Sequence, residues 1–168
     1  MRIQEIKTML VLVAAVIAAG GVTFAQGQSS SPSQGQGASA AEVVKARQTG
    51  LKTLGAAFKT IRDELRGDSP DAARIRSAAA DITHAASAIG KWFPAGTGLD
   101  SGVKTNAKPE VWTDAAGFAA AQDTFVREAN KLAQLGNSTD ASAWKEGAAS
   151  LGQSCKGCHD KYRVKKAE

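Results

Sequence analysis

Apolar residues recur at steps of three and four along four stretches of this chain, and helix punctuation brackets each stretch. In the first, Val44, Arg47, Leu51, Leu54, Phe58, Ile61 and Leu65 share one helical face. Ser39-Ala40-Ala41-Glu42 ahead of it spells a capping box, and Gly67 is its predicted stop. Every member of that stripe is apolar except Arg47. The second stretch opens with Ser69-Pro70-Asp71, read as N-cap, first-turn proline and an acid near the positive helix end. Its stripe is Ile75, Ala78, Ile82, Ala85 and Ile89, closed by Gly90. The third begins near Thr113-Asp114, presents Phe118, Ala121, Phe125, Ala129 and Leu132, and ends at Gly136. The fourth starts at Thr139-Asp140 and puts Trp144, Ala148, Leu151, Cys155, Cys158 and Tyr162 on one side.

Between the second and third patterns, Lys91 to Trp112 holds Pro94, Gly96, Gly98, Gly102 and Pro109, so it reads as one long connection. Trp92, Phe93 and Trp112 within it need an apolar surface to cover. The expected fold is all-α: an antiparallel four-helix bundle with two short turns and one crossover-like loop. Composition agrees. Alanine supplies 33 of the 168 residues and aromatics only 5%, which favours helix over sheet.

The first residues carry Arg2 and Lys7, an apolar run from Met9 to about Val22, and Thr23-Phe24-Ala25 with small residues where a signal peptidase reads. Residues 1–25 are expected to be a secretory signal cleaved after Ala25. The rival reading, an uncleaved anchor giving membrane attachment, is weakened by a run shorter than the ~20 apolar residues a span needs. Residues 26–38, rich in Gln, Ser and Gly, read as a flexible polar linker, and 39–168 as the bundle. A net charge of +5 does not by itself call for nucleic acid.

One motif carries chemistry. Cys155-Lys156-Gly157-Cys158-His159 is the C-x-x-C-H attachment signature of a c-type haem. Positions i and i+3 of a helix lie on one face, so two thiols can meet two vinyl groups on one porphyrin edge. His159 then supplies the axial nitrogen. Three blander readings compete. A disulfide suits helical i, i+3 spacing poorly. A thioredoxin-type dithiol wants a βαβ context that the chain lacks. Zinc would have two cysteines and at most two scattered histidines. For the sixth iron position, Met1 and Met9 both lie in the signal segment, and the only other histidine, His84, falls about 200° round its helix from the Ile82 stripe. The iron is therefore expected to be five-coordinate with an apolar pocket on its open side.

In order, the motifs are Arg47-Gln48-x-x-Leu51, Phe58, Trp92-Phe93 with Gly96-Thr97, Lys108-Pro109-Glu110-Val111-Trp112, and Cys155-x-x-Cys158-His159-x-x-Tyr162-Arg163. Over nearly all of residues 40–168 this order resembles the cytochrome c′ family of c-type four-helix-bundle haem proteins. Six-coordinate, low-spin relatives of that family carry methionine where this chain has Leu51. The resemblance implies a haem c on the C-terminal helix, Leu51 over the open face of the iron, and Phe58 in the same distal pocket. It implies a charge-assisted pair between Arg47 and a haem propionate, with Gln48 close by. Arg163 would flank the proximal face, and Thr105 and Asn106 would touch the haem edge. A homodimer formed through the first two helices is also implied.

These expectations converge on a periplasmic haem protein that binds diatomic gases, nitric oxide above all and carbon monoxide as well. An aliphatic residue over the iron offers no hydrogen bond to bound O₂, whereas NO and CO need one less. One-electron transfer with a redox partner protein is the alternative. A peroxidase-like enzyme is disfavoured, because it needs a distal acid–base residue.

Overall fold

The structure is a computed structural model and describes residues 38–165. The signal segment and nearly all of the linker lie outside the described residues. Four long helices carry the fold: α1 (Ala40–Arg66), α2 (Ala72–Ala88), α4 (Ala115–Gln134) and α5 (Ala141–Tyr162). A one-turn helix, α3 (Glu110–Thr113), precedes α4. Among the described residues there is no strand, only one antiparallel bridge between Ala107 and Arg163.

Local chemistry sets most boundaries. The capping box forms as expected: the Glu42 amide donates to Ser39 Oγ (3.3 Å) and the Ser39 amide to Glu42 Oε2 (2.8 Å). Gly67 ends α1, its amide donating to the Glu64 carbonyl. The start of α2 differs from expectation. Asp71, not Ser69, is its N-cap, accepting from the Ala73 and Arg74 amides at 2.8 and 3.1 Å. The Asp71 carboxylate reaches two free amides at once. Helix α2 also stops earlier, at Ala88, and Ile89–Lys91 continue as a 3₁₀ turn. Asp114 caps α4 and Asp140 caps α5.

The helices alternate in direction. The α1–α2 connection is short, as is α4–α5. The Gln122 side chain donates to the Ile89 carbonyl, so the end of α2 lies beside the start of α4. At the end away from the crossover loop the four helices share a core of Ile61, Leu65, Ile75, Ile82, Phe125, Leu132, Trp144 and Leu151. Burying such side chains stabilises the fold by about 1.5–3 kcal/mol each. At the loop end the buried cluster is smaller, formed by Val111, Phe118 and Tyr162.

Here the first stripe departs from its pattern. Leu51 is 36% exposed, and Leu54 and Phe58 are only half-buried. From Gln48 to Ala56, α1 contributes no fully buried side chain. Periodicity marks which face is apolar; whether protein covers it depends on the opposing helices, and here they leave it open.

The crossover loop is ordered by contacts at both ends. Gly96 and Gly102 adopt φ of +73°, a left-handed backbone that glycine takes without Cβ strain. Trp112 Nε1 donates to the Phe93 and Pro94 carbonyls. Around the Ala107–Arg163 bridge, the Lys108 amide donates to the Tyr162 carbonyl (2.9 Å) and the Val164 amide to the Asn106 carbonyl (2.8 Å). The loop is thereby stitched to the C-terminal end of α5.

Candidate functional site

Cys155 and Cys158 stand one helical turn apart near the end of α5, both free and half-buried. Cys155 packs against the large core, Cys158 against the small cluster. Burial pushes both thiols above the ordinary cysteine value, with the neighbouring Cys155 adding to the effect at Cys158. Burial thus favours the neutral S–H form of both. Among the described residues no three His, Cys, Asp or Glu side chains cluster as a metal site.

His159 is exposed beside them. Desolvation lowers its imidazole below the usual histidine value, and the Arg163 cation lowers it further against a smaller opposing pull from Asp160. A neutral ring keeps the lone pair that a metal needs.

The partner face belongs to α1. A Cβ at Gly152 would lie 3.3 Å from Phe58 Cζ, so the Phe58 ring sits directly on α5 at that level. The two helices run in opposite directions. Seven positions back along α1 lies Leu51; seven positions forward along α5 lies His159. Each step is about 10 Å at 1.5 Å rise per residue. Leu51 and His159 are thus at one level, with Leu54 between Leu51 and Phe58. An open apolar face on one helix, two neutral thiols at i, i+3 on the other and an imidazole level with Leu51 fit a flat apolar ring with a metal at its centre. They fit a four-ligand zinc centre poorly.

The remaining residues singled out by the sequence are distributed around this face. Arg47 is 2% exposed and makes its hydrogen bonds within the protein. Nη1 donates to the Trp92 carbonyl (3.3 Å) and Thr97 Oγ1 (3.0 Å); Nη2 donates to the Thr97 carbonyl (3.0 Å) and Thr105 Oγ1 (3.0 Å). Its guanidinium also lies 4.8 Å from the Phe93 ring centroid. Both terminal nitrogens are fully used, so only Nε–H is left for a propionate. Gln48 donates to the Lys104 carbonyl at 3.1 Å. Thr105 is buried and takes part through its hydroxyl, while Asn106 is exposed and takes part through its backbone carbonyl. Arg163 is exposed, its amide donating to the His159 carbonyl. His84 is exposed on α2.

Sequence reasoning named Thr97, Trp92 and Asp114 but missed their contacts: Thr97 as an acceptor for Arg47, Trp92 over Gly50, and Asp114 beneath Tyr162. An arginine on an apolar stripe signals that acceptors must exist somewhere, but not which ones. A glycine inside a helix likewise signals a close approach without naming the visitor.

The Cytochrome C′ family model matches residues 42–163. Cytochrome c′ of Rubrivivax gelatinosus is 35% identical over 127 residues, covering 74% of this chain and 95% of that protein. A solved cytochrome c′ described as having an unusual ligand-controlled dimer dissociation superposes with a TM-score of 0.71 at 34% identity, covering 77% of this chain and all of its own. A ferrous variant of cytochrome c prime from Alcaligenes xylosoxidans with bound NO superposes at 0.69 and 30% identity, covering 78% of this chain and all of its own. Bundle, thiol pair and these likenesses lead to one conclusion: the chain belongs to the cytochrome c′ family, and its cofactor is covalent haem c.

Proposed function

We propose that this chain is a periplasmic gas-binding haem protein, with nitric oxide as its chief ligand and carbon monoxide as a second. The single observation that carries the reading is Leu51: an aliphatic side chain, over a third exposed, level with His159 on the facing helix. Cys155 and Cys158 would hold the haem through thioethers and His159 would be the axial ligand, leaving the iron five-coordinate and high-spin. When bound, the haem supplies a ferrous iron able to take one further ligand.

The chain's own residues do the rest. Leu51, Leu54 and Phe58 line the opposite face with hydrocarbon. None can coordinate iron, and none can donate a hydrogen bond to bound O₂. That favours NO and CO, which depend less on such a donor. None of the three side chains carries an acid–base group, which supports binding rather than catalysis. Arg163, beside His159, is assigned to the proximal face. Gln48, Thr105 and Asn106 are assigned to the haem edge, because all three meet where the crossover loop crosses α1 and α5. Arg47 is assigned to the same edge through Nε–H.

Secretion would follow from residues 1–25, since c-type attachment in this family is completed outside the cytoplasm. Among the described residues no helix is long and apolar enough to cross a membrane. A homodimer through α1 and α2 follows the family resemblance, and a solved relative is described as having a ligand-controlled dimer dissociation.

The test is an absorption and resonance Raman spectrum of the ferrous holoprotein with and without NO. A five-coordinate, high-spin resting spectrum that changes on NO addition is expected. A low-spin, six-coordinate resting state defeats the reading and favours one-electron transfer.

A further inference from the structure

The stretch of α1 that carries Leu51 is held in an unusual way. It has no fully buried side chain between Arg47 and Ala57, and only the half-buried Leu54 packs against the core, so most of its hold comes from the crossover loop. Arg47 is bonded to Trp92, Thr97 and Thr105, and Gln48 to Lys104. At Gly50 the Trp92 indole comes so close that a Cβ there would lie 2.7 Å from its Cη2 and Cζ2 atoms. The Trp92 backbone is tied on both sides, its carbonyl accepting from Arg47 and its amide donating to the Ile89 carbonyl, so a Cβ at Gly50 would be accommodated by turning the indole off its seat. Glycine inside a helix is less favourable than alanine. Here that cost has a counterpart, the seat it makes for Trp92, one residue from Leu51.

We propose that Trp92, seated on Gly50, is a positioning residue for Leu51 and so governs how fast a diatomic gas reaches the iron. This rests on the gas-binding reading above. Trp92 acts through the α1 backbone. With the indole in place, the turn from Arg47 to Leu51 is clamped against the loop and Leu51 stays level with His159. Without it, that turn keeps the Arg47 and Gln48 hydrogen bonds but loses the indole contact at Gly50, one residue from Leu51, and the leucine withdraws more often.

The experiment uses the full-chain, haem-loaded ferrous protein. CO association is followed after flash photolysis, alongside amide hydrogen exchange. Trp92→Ala and Gly50→Ala are expected to raise the CO association rate by roughly tenfold, as a barrier lowered by about 1.4 kcal/mol gives. They should also speed exchange at residues 48–54 while leaving 61–65 unchanged. Gly55→Ala is the control: it makes the same chemical change in the same helix, but its Cβ meets nothing within 4 Å. It should keep the wild-type rate, which separates the Trp92 contact from helix propensity. Trp92→Phe lacks the atoms nearest Gly50 and gives the same answer where Trp92→Ala yields no folded protein. If wild type binds CO and Gly50→Ala and the Trp92 variant keep its rate, the proposal is overturned. A wild type that takes up no CO overturns the gas-binding reading, and this proposal with it.

Discussion

The Tyr162 hydroxyl donates to Asp114 Oδ2 at 2.8 Å, joining the last residue of α5 to the N-cap of α4 across 48 positions of sequence. The same carboxylate accepts from the Gly117 amide at 3.1 Å and pairs with Lys161 Nζ at 2.6 Å. Tyr162 stacks edge-on against Phe118, and Phe118 against Phe93, so this contact also steadies the crossover loop. It lies one turn beyond Cys158 and underpins the end of the helix that carries the haem motif.

Acid should dissolve this junction. Lys161, then Tyr162 and the Gly117 amide, hold the Asp114 carboxyl below its ordinary value of 3.8. A depressed carboxylate contributes stability that is present above the unfolded value and lost as pH falls through the lower folded one. Asp114→Asn should therefore melt several degrees below wild type at pH 7. The gap between the two proteins should narrow below about pH 4. Thermal melts across pH 2–7 measure it. Parallel curves would mean that the carboxylate charge contributes nothing.

Replacing Leu51 should separate function from stability. Leu51→Met offers a thioether to iron at the level of His159, and the ferric spectrum should shift to low-spin with slowed gas uptake. Leu51→Ala should do the opposite and speed uptake. Because Leu51 stands outside the core, its truncation should cost the apoprotein less than about 1 kcal/mol, against about 2–5 kcal/mol for Ile61→Ala in the fully buried core. Urea titrations of the two apoprotein variants, with spectra of the haem-loaded Leu51 variants, test both halves.

Arg47 should resist conservative replacement. Lysine brings three donors on a point charge where the guanidinium fork meets four acceptors. Arg47→Lys and Arg47→Met should each lose about 2–3 kcal/mol, since the buried Thr97 carbonyl loses its guanidinium donor and the Thr97 and Thr105 hydroxyls each lose one of two partners. Limited proteolysis should show new cleavage between Pro94 and Lys104. A lysine variant as stable as wild type would show that the fork geometry is dispensable.

Haem attachment should be divisible. Cys155→Ala or Cys158→Ala leaves one thioether, and the double variant should carry no covalent haem. His159→Ala should keep covalent attachment and lose the axial nitrogen. Intact-mass analysis reads the first effect and the absorption spectrum reads the second.

The four long helices and the C-x-x-C-H site were legible because both depend on short-range geometry. A 3.6-residue period, a capping box and an i, i+3 thiol pair are all written within one or two turns of chain. Even there, Ser69 was the expected α2 cap, whereas Asp71 takes that place by accepting from the Ala73 and Arg74 amides. Arg47 shows where local reading stops. Its place on an apolar stripe announced a buried cation, yet its acceptors lie 45 to 58 positions further on.

From its residues alone, then, this chain specifies helices, their apolar faces and the chemistry on α5, since neighbours in sequence are neighbours on a helix. Whether an apolar face is covered depends on what folds back against it. Leu51 belongs to the same stripe as Ile61, but Ile61 is fully buried in the shared core while Leu51 is over a third exposed, level with His159. That difference, and the clamping of α1 by Trp92 and Arg47, come from chain segments far apart in sequence, and only their packing brings them together.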